Sequence, residues 1–530
     1  MLDGDEHGLF IFTGMVRPHI LLRMLTQQNV QSGWSLYSRT FSGMSLLHSL
    51  ALVSVFWLIL FITDRLLRRY RPWKSDYLQR LEDWGVTLSF AHVRCYTTKF
   101  NRLFHLVGTT SKTACRCWFG LGALIGVLLM LTSVGVLGLT LYQAFAAPEG
   151  TQQVLTPVMP GVNLPWNDIA YYLLTLTVCG VFHEAGHALA ASTEQVRVNG
   201  FGVFMLFLYP GAFVDLHSDH LSVISPRRQL RIYCAGVWHN VILVLFALGF
   251  LWTLPYSLTP FYKMDGGVVV TSLPTGSVLA GKLNPGDVIT SVNSCPVGSD
   301  VDWFKCLEEL HASGLHGYCV AQELMAEKPS FALNQTTIME DGSRDCCEKD
   351  SLSDICFQLV FGGQRPSVYK CLRARTITAR RACTNARECM GVSEHACVFP
   401  TLSSPSKLLR ISHDGGEDVL FLGDPRALNF VLSISSYIPK SPGIPLWLPG
   451  FLHTLSTYFI SLSSALALLN MVPAYFLDGQ WALTVLVDLC FETRIPDPQK
   501  RNRICNCILV VGSVLLGLNL CLAIWTLINW

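Results

Sequence analysis

The sequence predicts a polytopic α-helical membrane protein of about six spans, interrupted by a cysteine-rich β/α insert on the lumenal side. Three observations predict it. Hydrophobic residues make up 51% of the 530 and charged residues only 14%, against about 25% charged in soluble domains, and the mean hydropathy is +0.39. Several apolar runs reach the roughly 18–20 residues needed to cross a bilayer. Ten of the 19 cysteines fall within 261–446. This composition excludes a disordered chain, a collagen-like fibre and an ordinary cytosolic enzyme. A net charge of only +2 argues against nucleic-acid binding, which needs basic charge to neutralise phosphates.

The candidate spans are 46–63, 119–145, 169–191, 232–254, 452–472 and 508–530, and the short apolar piece at 481–491 leaves the count around 475–491 open. The stretch 201–214 is apolar but rich in Gly and Pro, and reads as a re-entrant or strand-like element buried against protein. Lys and Arg crowd 64–116, are absent from 147–166, and return as Arg197, Arg227, Arg228 and Arg231 and then as Arg494, Lys500, Arg501 and Arg503. Cytosolic loops carry such an excess, so these segments are expected on the cytosolic side and 261–446 in the lumen. The expected organisation is an N-terminal extension at 1–43 and a first span with a basic cytosolic loop at 44–116. A membrane core follows at 117–260, then the insert at 261–446 and a C-terminal membrane core at 447–530.

In the insert, an even number of cysteines in an oxidising compartment implies a disulfide framework. A cysteine zinc site is the weaker alternative, because no paired CxxC motifs occur there. Asn334-Gln335-Thr336 is an N-glycosylation sequon, in keeping with a lumenal face. A β-branched strand at 267–270, a loop, Ala280-Gly281-Lys282-Leu283 and Pro285-Gly286-Asp287-Val288-Ile289 together resemble a PDZ domain, which docks extended peptides at a sheet edge. A small β-rich domain without a peptide groove is the alternative.

The sharpest chemical signal is His183-Glu184-Ala185-Gly186-His187, an H-E-x-x-H within a hydrophobic run. Four helical residues advance about 400°, so both imidazoles share a face and can reach one metal ion. Glu184 beside them can take a proton from an activated water. Ionisable groups in mid-membrane cost on the order of 3 kcal/mol or more and usually carry function; a packed histidine pair bonded to neighbouring helices is the competing account. A catalytic zinc with two His needs a third protein ligand and an open position. Asp478, in Leu477-Asp478-Gly479, is the sole acid in the apolar tract between Leu446 and Asp488, and Pro473 and Gly479 break the helix around it. A helix N-cap would also explain it. His239, Asn240 and Asn470 lie in apolar surroundings, where they could contact a substrate backbone or an oxyanion or simply bond helix to helix.

His183-Glu184-x-x-His187, the PDZ-like insert and Leu477-Asp478-Gly479 together resemble the site-2 protease family of intramembrane zinc metalloproteases. Gly200-Phe201-Gly202-Val203, the segment 209–215 and Cys234-Ala235-Gly236-Val237-Trp238-His239-Asn240 resemble it too. The resemblance runs from about residue 44 to the C-terminus. It implies one zinc ion held by His183, His187 and Asp478, with Glu184 as catalytic acid/base. The implied partners are membrane-anchored transcription factor precursors already cut on the lumenal side, including those of the sterol and unfolded-protein responses, processed in Golgi or endoplasmic reticulum membranes. Two rivals stand beside it. A zinc transporter would place several His and acid clusters along a path, and a lumenal scaffold would work through the insert alone.

Overall fold

The computed structural model of the protein describes residues 35–146, 164, 168–274, 276–314, 316–326, 329–339, 342–347, 353–360, 368–389 and 395–528. The chain forms two compact units, one of Met1–Phe250 with Thr454–Trp530 and one of Leu251–His453. Of the extension expected at 1–43, residues 1–34 lie outside the described residues, and the rest enters the first helix.

In the first unit the chain runs through α1 (Ser35–Arg69) and α2 (Arg71–Asp83), then β1 (Val86–Ser89) and β2 (His92–Thr97). It continues through α3 (Asn101–Thr110), α4 (Lys112–Ala146) and α5 (Ile169–Thr193), then β3 (Val198–Leu206) and β4 (Tyr209–Leu216). Next come α6 (Pro226–Tyr233) and α7 (Ala235–Leu258), and after the second unit α8 (Leu448–Asn470), α9 (Asp478–Phe491) and α10 (Pro498–Ile528). Five helices among the described residues, α4, α5, α7, α8 and α10, are long and apolar enough to cross a membrane. The expected count was about six. The run 46–63 lies inside α1, whose last two turns carry Asp64, Arg65, Arg68 and Arg69. Asp64 is buried there, accepting bonds from Arg68 Nε at 2.8 Å and Tyr77 Oη at 2.8 Å. The uncertain piece at 481–491 falls in α9, which has 14 residues. At about 1.5 Å per residue it is too short for a hydrocarbon core about 30 Å thick.

The Gly- and Pro-rich stretch at 201–214 forms the β3–β4 hairpin. It joins a four-stranded antiparallel sheet in the order β1-β2-β3-β4, with His92–Thr97 registered against Leu206–Phe201. The sequence reading treated β1 and β2 as part of a basic loop. β4 is an edge strand, so alternate backbone N–H groups face away from β3.

Close helix approach in this unit depends on small residues. On α4, a Cβ at Gly122 would lie 2.6 Å from the Trp238 ring, and one at Gly126 would lie 2.7 Å from Cys234 Sγ. Ala188, Ala190 and Ala191 of α5 and Ala235 of α7 are buried in the adjoining cluster with Ile232.

Among its described residues the second unit contains, beside two two-stranded sheets, two larger antiparallel ones. One has the strand order 419–423, 407–413, 288–292, 268–272, 433–435, with Cys295–Pro296 paired to 288–292. Against it the helix Asp300–Ala312 buries Trp303 completely, and the indole N–H donates to Asn429 Oδ1 at 2.9 Å. The other has the order 368–373, 354–360, 395–400, 317–321, 382–383. All ten of the unit's cysteines pair: Cys295–Cys306, Cys319–Cys389, Cys346–Cys356, Cys347–Cys371 and Cys383–Cys397. The nine free cysteines all belong to the other unit. Asn334 is exposed.

The α4 contacts give a test. Gly122→Val or Gly126→Val is expected to destabilise the protein by about 1–3 kcal/mol, the usual cost of overpacking, and to lower its melting temperature in detergent. Gly138→Ala on the same helix, where a Cβ meets no atom within 4 Å, should leave it unchanged.

Candidate metal centre

The site is built where α5 meets the break between α8 and α9. α5 continues unbroken past His183 and His187, which lie one turn apart. Pro473 follows α8 and lacks an N–H to continue it. The chain then turns through Phe476, whose φ is +71°, and restarts as a helix at Asp478. At Gly479 a Cβ would lie 2.1 Å from the Val472 carbonyl oxygen, so the glycine is what lets the chain fold back on itself. The N-cap position of α9 is Leu477, and Asp478 is the first residue inside the helix, which removes the N-cap account. Its carboxylate goes to the imidazoles instead.

Asp478 Oδ2 lies 2.9 Å from His183 Nε2 and 3.4 Å from His187 Nε2, and the two Nε2 atoms are 3.1 Å apart. Both rings are buried. His187 Nδ1 lies 2.7 Å from the Ile232 carbonyl oxygen. A carbonyl can only accept, so Nδ1 carries the proton and Nε2 presents its lone pair. A carboxylate oxygen and two Nε2 atoms converging at these distances repel one another unless a proton or a metal ion lies among them. Room for an ion comes from Gly236 on α7. A Cβ there would lie 2.4 Å from His187 Nε2 and 2.6 Å from His183 Nε2, on the side where the donors point. Two imidazoles and one carboxylate form a donor set suited to zinc, with a coordination position left for water.

Glu184 is half-buried, and its Oε2 accepts from the Val214 N–H of the edge strand β4 at 3.1 Å. Asn240, wholly buried, lies against the first histidine, with Nδ2 3.1 Å from His183 Nδ1. His239 turns the other way, with Nδ1 3.2 Å from the Phe182 carbonyl and its ring stacked on Phe119. Asn470 is half-buried at the last residue of α8.

Sequence reasoning missed the support beneath His187. Glu194, just past the end of α5, is buried. It accepts from Arg228 Nε at 2.7 Å and Arg231 Nη1 at 2.6 Å, with Arg116 Nε 3.7 Å away. Arg228 and Arg231 belong to α6, which carries the Ile232 carbonyl. The ion pairs therefore fix the short helix that orients the histidine. A pointer was present in an acid at the end of an apolar tract and three arginines in α6, which had served only to assign orientation.

Among the described residues two other groups bring potential ligands together. Cys319, Cys383 and Cys389 are committed to disulfides. In the other group, Asp287, Asp414 and His413 Nδ1 accept from the backbone N–H groups of Asn284, Val288 and Gly415. Among its described residues the membrane unit thus holds one such cluster, not the series a transport path would need.

The chain is similar to known proteins. The family model of peptidase family M50 matches residues 171–516, well over half of the chain and spanning the histidines and Asp478. A relative from Arabidopsis thaliana, a membrane-bound transcription factor site-2 protease homolog, is 25% identical over 514 residues, covering 86% of this chain and 96% of its own.

Gly236 supplies the test of the cradle. Gly236→Ala is expected to weaken zinc binding by at least ~10-fold, the scale seen when atoms around metal ligands are disturbed, as measured by chelator competition. Gly249→Ala on the same helix, where a Cβ meets nothing within 4 Å, should bind zinc as the wild type does.

Proposed function

The chain belongs to peptidase family M50, and from that premise we propose that it is a zinc endopeptidase acting within the membrane. Its substrates are membrane-anchored transcription factors already cut on their lumenal side, and cleavage of the remaining span releases their cytosolic domains. The observation that carries the reading is the convergence of His183, His187 and Asp478, brought from sequence-distant segments to within hydrogen-bonding distance of one another. The substrate class is supported by the name of the Arabidopsis relative. Extension to factors of the sterol and unfolded-protein responses rests on the family resemblance.

His183, His187 and Asp478 would hold one zinc ion. When bound, zinc polarises a carbonyl and lowers the pKa of water toward about 7. The remaining work falls to the chain itself. Glu184 takes the proton of the attacking water on its carboxylate and returns it to the leaving amine. A peptide bond within a helix is shielded by its own hydrogen bonds, so the substrate must be drawn out as a strand. The glycine-rich strand β3 lies inside the sheet, paired on both sides. The open edge is therefore that of β4, where alternation turns the N–H groups of Ala212 and Val214 away from β3.

The proposed location is the Golgi or endoplasmic reticulum membrane, with the insert in the lumen. Its support is the separation of cysteines, ten paired in one unit and nine free in the other, as an oxidising and a reducing compartment would produce. The first part of the insert is kept as PDZ-like because strands 268–272 and 288–292 lie side by side with the helix Asp300–Ala312 packed on their sheet.

Two measurements bear on these readings. Glu184→Gln is expected to retain zinc while cleavage of a co-expressed membrane-anchored reporter falls about 10²–10⁴-fold, the usual worth of general acid–base catalysis. Retained cleavage would assign the proton transfer elsewhere. Endoglycosidase treatment should increase the gel mobility of the wild type but not of Asn334→Gln. Identical behaviour of both would leave the lumenal placement without this support.

A further inference from the structure

Asn240 lies four residues after Gly236 on α7, so the amide and the glycine that makes room for the imidazoles share one helix face. The residue is fully buried, its Nδ2 is 3.1 Å from His183 Nδ1, and its Oδ1 has no hydrogen-bond partner. Contact with a substrate or oxyanion requires an open face, and the contact this amide makes is with a histidine.

The two ends of an amide exchange by a half-turn about its last bond, so the ring it faces decides which end is presented. His187 sets the pattern, with an acceptor at Nδ1 leaving the Nε2 lone pair for the site. At His183 the choice has a chemical consequence. An N–H donor at Nδ1 would hold the proton on Nε2, and a protonated Nε2 cannot ligate a metal. An acceptor at Nδ1 draws the proton there and turns a lone pair toward Asp478 and His187. The half-turn leaves one end of the amide without a partner either way, so hydrogen-bond count alone does not select the orientation; the ligand role of Nε2 does. We propose that Asn240 is a positioning residue that presents its Oδ1 to His183 Nδ1–H and so fixes the tautomer in which His183 binds the metal. This assignment rests on the zinc reading above. In that arrangement each histidine is oriented from behind by an acceptor on a different element, Ile232 on α6 and Asn240 on α7.

The test is zinc affinity of the full-length protein in detergent, measured by chelator competition, with melting temperature recorded alongside. Asn240→Leu keeps the size but removes the acceptor and is expected to bind zinc about 10–100-fold more weakly, the usual effect of losing such a partner. Asn240→Asp keeps an acceptor and is expected to bind at least as tightly as the wild type. Should Asn240→Leu fail to fold, Asn240→Ala takes its place with the same expectation. Wild-type affinity in the variants without an acceptor, or loss of affinity in Asn240→Asp, overturns the assignment. His183→Ala separates the two readings. If it abolishes zinc binding while the Asn240 variants do not weaken it, the positioning role alone falls; if it leaves zinc binding unchanged, the metal site falls as well.

Discussion

The membrane unit is organised around one crowded convergence of polar atoms. A carboxylate oxygen and the Nε2 atoms of two buried imidazoles are held within 3.4 Å of one another. Groups of that kind stay together in a low-dielectric interior only if positive charge lies between them, because uncompensated buried polar groups cost several kcal/mol. Much of the surrounding sequence serves that convergence. Gly236 keeps the space clear, Gly479 and Pro473 let the chain carrying Asp478 turn back, and Gly186 lets α5 and α7 approach. A Cβ on Gly186 would fall 2.5 Å from the Ala235 carbonyl.

The same logic explains the charge placed about two turns beyond the site. Glu194 is buried as deeply as the histidines, yet it is matched by Arg228 and Arg231 in hydrogen-bonded ion pairs and by Arg116 nearby. Removing one partner of such a pair typically costs more than the pair contributes, because a charge is left behind. The network therefore acts chiefly as a specifying device. It fixes α6, and α6 fixes the Ile232 carbonyl that sets the tautomer of His187. The path from a buried acid to His187 passes through one short helix and one backbone oxygen.

How far the sequence revealed this depended on whether a feature was local. His183, Glu184 and His187 declare themselves by helical spacing, and Asp478 by being the lone acid in an apolar tract. The partition of cysteines was visible from counting, whereas their pairing depends on strands brought together from distant positions, such as Cys319 with Cys389. Ile232 leaves no trace at all, since its contribution is a carbonyl oxygen that every residue carries. Gly236 and Asn240 could be noticed as small and polar residues in an apolar run, but not assigned, because their partners lie on α5. The β1–β2 hairpin was hidden by the arginines and lysines around it.

Under the proposed activity, the position of β4 carries the remaining constraint. A protease working on a helix must supply hydrogen bonds to replace those it breaks, since unpaired backbone groups away from water are costly. An open strand edge beside the site meets that need. One of its outward N–H groups, that of Val214, already engages the carboxylate of Glu184 at 3.1 Å. Base and edge are thus joined by a hydrogen bond, and their relative position is set by the β3–β4 pairing from Val198–Leu216 to Leu206–Tyr209. The sheet does for Glu184 what α6 does for His187: each holds a reactive side chain through a backbone group whose place is decided by residues far away in the sequence.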